Sequence, residues 1–106
     1  MNRQQQIDRF LLQAHKLALA RLRADPHRMQ EVAARLARWR LQAGATRSDA
    51  YWDEWEGLIA QGVDAMERSV CAEDEHGCVL RSVSPLSGLV SQQERSALLR
   101  QARMTP

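Results

Sequence analysis

Apolar residues recur along this chain at the three- and four-residue intervals of an α-helix, and no segment shows the strict alternation of a strand. Ile7, Phe10, Leu11, Ala14, Leu17 and Ala18 form the first stripe and predict a helix from about Gln4 to Arg23. Asp25-Pro26 ends it and opens the next, because Asp suits the N-cap and Pro the first helical position. Met29, Val32, Ala33, Leu36, Trp39 and Ala43 carry the second stripe, closed by Gly44. Two long consecutive helices with a tight connection predict an antiparallel helical hairpin.

Further along, Ser48 is the best N-cap for a third helix bearing Tyr51, Trp52, Trp55, Leu58 and Ile59, which closes at Gln61-Gly62. Val63, Met66, Val70 and Cys71 predict a shorter fourth helix. A fifth, opened by Glu73-Asp74-Glu75-His76, runs to about Val83 and is weakened by Gly77. Ser84-Pro85 breaks it, since the residue before proline avoids helical backbone. Ser91-Gln92-Gln93-Glu94 is a capping box for a last helix through Ala97, Leu98 and Ala102. The expected fold is all-α, a compact bundle of about five to six helices built on the N-terminal hairpin.

Composition agrees with this reading. At 106 residues and 44% hydrophobic, the chain is long enough for one domain and too apolar for disorder. No window supplies the roughly 18 uncharged apolar residues of a membrane span, and the N-terminal residues do not read as a signal peptide. Two cysteines, Cys71 and Cys78, make no disulfide framework, so a cytoplasmic protein is expected. The net charge of +2 conceals a segregation. Residues 1–48 hold ten Lys/Arg against three acids, residues 49–80 hold nine acids against Arg68, and residues 81–106 hold four arginines against Glu94. A single domain over 1–106 thus divides into a basic hairpin (1–44) and a remainder (45–106) of acidic, aromatic helices with a C-terminal capping helix.

Enzyme signatures are not found. There is no glycine-rich phosphate loop, nucleophile elbow or metalloprotease motif, and His15, His27 and His76 fall in three different predicted elements. Catalysis and a cofactor are therefore not expected. Cys71, His76 and Cys78, with Glu73 and Asp74 between them, hold zinc-compatible atoms, but their spacing matches no common structural zinc pattern and a bound metal is not expected either. Basic residues offer a different chemistry. Arg28, Arg35, Arg38, Arg40 and Arg47 in and around the second helix form a candidate nucleic-acid surface. Asp49, Asp53, Glu54 and Glu56 would repel phosphates if the third helix entered a groove, which argues against a helix-turn-helix. The bland alternative is that the basic hairpin packs against that acidic helix within the chain. Tyr51, Trp52 and Trp55 form a broad aromatic stripe. Trp55 reads as core, and Trp52 at its edge as an interface anchor.

From Trp52-Asp53-Glu54-Trp55-Glu56 through Leu80-Arg81-Ser82-Val83-Ser84-Pro85-Leu86-Ser87-Gly88-Leu89-Val90 to Glu94-Arg95, about half the chain resembles a loosely defined group of small bacterial proteins. These are antitoxin-type or operon accessory proteins with a Trp-rich helix and a Leu-Arg-x-x-Ser-Pro segment. The resemblance implies a non-enzymatic protein whose carboxy-terminal half grips and neutralises or regulates a partner protein; the aromatic stripe, the acidic segment and Ser84-Pro85-Leu86-Ser87-Gly88-Leu89 place the contacts in residues 51–90, at Tyr51, Trp52, Asp53, Trp55, Glu56, Leu86 and Leu89. An acidic, aromatic face suits a basic partner such as a toxin or a nucleic-acid-handling enzyme. The alternatives are nucleic-acid binding through the basic hairpin and a phage- or plasmid-encoded inhibitor of a nucleic-acid-processing complex. A homodimer is compatible with all three.

Overall fold

The computed structural model describes residues 2–104. Six α-helices follow one another: α1 (Arg3–Ala24), α2 (Met29–Ala43), α3 (Asp49–Gln61), α4 (Val63–Val70), α5 (Glu75–Ser82) and α6 (Gln92–Met104). Two 3-10 turns, Pro26–Arg28 and Pro85–Leu89, complete the fold, and there is no strand among the described residues. The all-α expectation holds.

Local chemistry accounts for most of the boundaries. Asn2 accepts from the Gln5 amide (2.8 Å) while its own N–H donates to the Gln5 side chain (3.0 Å), giving α1 a reciprocal cap. Gly44 and Gly62 end α2 and α3 at φ +65° and +107°, backbone that a side chain disfavours. Asp74 caps α5 through the Gly77 amide (2.7 Å). Gly77 itself is required, because a Cβ there would lie against the Ala72 carbonyl oxygen. Two expected caps differ. Asp25 makes no side-chain cap bond, and Pro26 begins a 3-10 turn ahead of α2. Ser48 does not cap α3 either; Asp49 closes that turn by accepting from the Thr46 amide (3.2 Å) and hydroxyl (3.3 Å).

Tertiary packing departs from the expected hairpin. α1 and α2 share no extended face; α1 packs mainly on α6 and also on α4, α5 and the Pro85–Leu89 turn, while α2 packs on α3 and that same turn. The physical reason lies in how much of each helix is apolar. Leu12, Ala14, His15, Ala18, Leu19 and Leu22 are buried around α1, too wide an arc for one neighbour, whereas α2 buries only Val32 and Leu36. α1 is the central helix, and α2 lies at the edge. Order along the α1–α6 pair is antiparallel: Arg21 meets Glu94, and Arg9 and Gln13 lie beside Leu98 and Ala102.

The core joins Leu19, Leu22, Leu36, Trp55, Met66, Leu80 and Leu86. Trp55 is fully buried, and its indole N–H donates to the Leu80 carbonyl (3.0 Å). Ser82 Oγ takes the Val79 carbonyl (2.7 Å), and Trp52 donates to Val83 O (3.1 Å). Between them these three side chains satisfy carbonyls at the end of α5 that the helix cannot.

Candidate functional site

The third helix does not present the face that its sequence suggests. Trp55 (0% exposed), Leu86 (1%) and Leu89 (3%) belong to the core, so these three are corrected from partner contacts to packing residues. Each is an apolar group that the small fold needs for its own interior. Tyr51 and Trp52 remain half-buried. Tyr51 lies against the His76 ring with centroids 5.9 Å apart, and Trp52 tilts against Trp39 at 6.5 Å.

Most of the acids are answered within the chain. Arg40 of α2 reaches Asp53 (2.7 Å) and Glu56 (3.0 Å) of α3. Arg23 of α1 holds Asp64 (2.7 Å) and Glu67 of α4, and His76 holds Glu54 (2.8 Å). Asp53 and Glu56 are thus engaged by the basic segment of the same molecule, the bland reading of the charge segregation. The same pairs deplete the candidate nucleic-acid surface. Arg40 is bound to α3, Arg28 leans on Glu31 (3.3 Å), and the Arg35 guanidinium covers Gly88. Arg38 and Arg47 stay exposed.

What the expected set omitted is the outward side of α2. Gln30, Ala34, Ala37 and Leu41 follow one another at helical spacing, all exposed, on the side opposite Val32 and Leu36. Leu41 is 86% exposed, and Arg38 borders it one turn back. The signal lay in the sequence: Leu41 stands off the apolar stripe of its own helix.

A second feature had no such signal. Arg81 is 4% exposed and reaches from α5 to the end of α4, where its Nη1 donates to the carbonyls of Val70 (2.6 Å) and Ala72 (2.7 Å). Its Nη2 donates to Cys78 Sγ (3.2 Å), and its Nε is buried without a partner. A cation at a helix C-terminus answers orphan carbonyls and the dipole together. His15 of α1 is 6% exposed; its Nδ1 donates to the Leu11 carbonyl (2.7 Å) and its Nε2 is buried and unpartnered. Burial, with Arg81 and Arg95 nearby adding to it, pushes the imidazole down to about 4, so His15 is neutral at pH 7. Both side chains line a cavity of about 220 Å3 that is walled also by Trp39, Arg95, Ser82, Ser84 and Ser87. His15 and Arg81 are far apart in sequence, and no spacing rule joins them.

Burial pushes the half-buried Cys71 thiol up, away from thiolate chemistry. Among the described residues no three His, Cys, Asp or Glu side chains gather as a metal site would need, and Cys71, His76 and Cys78 go to separate surroundings. Among the described residues no helix is long and apolar enough to cross a membrane. The chain matches no family model, and comparison with curated proteins and with solved structures finds nothing similar.

Proposed function

We propose that this chain is a non-catalytic protein-binding module, antitoxin-like in that it neutralises or regulates a partner protein. The observation that carries this reading is the outward stripe of α2, where Leu41 stands 86% exposed in line with Ala34 and Ala37 on a helix packed along one side only. Covering that side chain with a partner's surface would remove its apolar area from water, a gain the fold itself leaves unused. Half-exposed Trp52 and Tyr51 are secondary contacts on α3. Because Asp53 and Glu56 already face Arg40, the acidic helix no longer calls for a basic partner. Arg38 and Arg47 instead favour a surface with acids around an apolar centre.

The test is capture of the tagged chain's partner from its native cell, with and without nuclease, beside the Leu41→Glu variant. A stoichiometric protein that survives nuclease and is lost with Leu41→Glu is the expected result. Thermal stability of the variant should stay within about 0.5 kcal/mol, as for a surface position. A complex that nuclease dissolves, or one indifferent to Leu41→Glu, overturns the reading. The first of those outcomes moves the assignment to nucleic acid through Arg38 and Arg47.

A further inference from the structure

The cavity between α1, α5 and α6 has a lining of one charge sign. Arg81 and Arg95 face it with His15, and three serines, Ser82, Ser84 and Ser87, stand in its wall; no carboxylate lines it. Arg81 is a buried cation whose hydrogen bonds go to neutral carbonyls and a thiol, and a buried charge without a counter-ion is costly. Two of its lining residues each carry a buried polar atom without a partner, His15 Nε2 and Arg81 Nε. Such groups in a native fold call for an explanation, an ordered water or a bound ion among them.

Their chemistry differs in sign. Arg81 Nε–H is a donor. Since a carbonyl only accepts, the bond to Leu11 places the proton of neutral His15 on Nδ1 and leaves Nε2 a bare acceptor. A ligand that satisfies both must accept and donate within one small group. We propose that this cavity binds a phosphoryl oxyanion in its monoprotonated form, free phosphate or a small phosphate monoester. Its charged oxygens meet Arg81 and Arg95, its P–O–H donates to His15 Nε2, and Ser84 and Ser87 complete the shell. A carboxylate lacks the donor at neutral pH, and sulfate lacks it too. At about 220 Å3 the space exceeds the roughly 30 Å3 share of one water several times. Both orphan atoms are sealed from solvent, so binding requires the wall to part; of the two lining arginines Arg95 is the half-exposed one, resting over Phe10 at 5.8 Å. The lowered basicity of His15 fits this role, because it keeps Nε2 unprotonated at pH 7.

Leu41 does not line this cavity, so Leu41→Glu should leave binding there unchanged. The experiment is a nuclear magnetic resonance titration at pH 7 in low-chloride buffer, reading the His15 imidazole and the Trp39 indole, with inorganic phosphate, glycerol 3-phosphate and sulfate in parallel. Saturable shifts at His15 and Trp39 with phosphate or the monoester are expected, and the tighter of the two names the source. Sulfate should bind about tenfold more weakly or worse, having no proton for Nε2. Arg95→Gln should weaken phosphate by about tenfold, and Ser87→Glu, which places a carboxylate in the wall, should abolish it. Circular dichroism checks that both variants fold. Equal affinity for sulfate and phosphate, an unmoved His15, or undiminished binding by folded Arg95→Gln would each overturn the proposal.

Discussion

Trp52 and Trp55 carry the same indole N–H in different surroundings. Trp55 donates to Leu80 O inside the core, where no water can replace it; Trp52 donates to Val83 O at a half-exposed edge. Phenylalanine removes the donor and part of the ring at both positions. We expect Trp55→Phe to lower unfolding stability by about 2–4 kcal/mol, the sum of a smaller ring and an unpaired buried carbonyl. Trp52→Phe should cost about 1 kcal/mol, since water reaches Val83 O. Urea midpoints of the two variants check the difference, and equal losses would mean that Leu80 O is not sealed. Leu86 teaches a related lesson. A charge placed there strikes the core, so Leu86→Asp reports folding and cannot test an interface.

At the scale of the helix, boundaries and partners have unequal claims on the sequence. Ser91 and Glu94 make the box that their spacing predicts: Glu94 N donates to Ser91 Oγ (3.1 Å) and Ser91 N to Glu94 Oε1 (2.9 Å). Glu94 also receives both terminal nitrogens of Arg21, with Nη1–Oε1 at 2.6 Å, so one carboxylate starts α6 and docks it on α1. Ser91→Ala should therefore cost about 1 kcal/mol. Glu94→Gln should cost more than Ser91→Ala in the same denaturation series, because it loosens the docking as well. The six helices were legible because caps, Gly44, Gly62 and Pro85 act within a few residues. The packing was not. Arg21 and Glu94 are 73 positions apart, and nothing local tells α1 to prefer α6 over the adjacent α2. The candidate site divides the same way: Leu41 is readable as a leucine off its stripe, whereas the meeting of His15 with Arg81 is a product of the tertiary fold.

Over the whole molecule, two titrating groups act in one direction as pH falls. The His15 imidazole stands at about 4 in the fold and at its ordinary 6.5 when exposed, so between those values the unfolded chain holds the extra proton and stability falls with pH. That limb should remove about 2 kcal/mol between pH 7 and pH 5. The hydrogen bonds from Arg21 hold the Glu94 carboxyl down at about 2 against an ordinary 4.5, and its contribution is lost as pH drops through that second window. Urea midpoints at pH 7, 5 and 3 should fall in two stages, and His15→Gln should flatten the first alone. The antiparallel pairing of α1 with α6 also has a bearing on how the protein is made. α1 leaves the ribosome early, but its principal cover is encoded 73 residues later, several seconds away at roughly 5–20 residues per second. Helices form in microseconds, so the face of α1 that α6 covers stays open until α6 emerges. During that interval the nascent chain is a natural client for a chaperone at the exit tunnel.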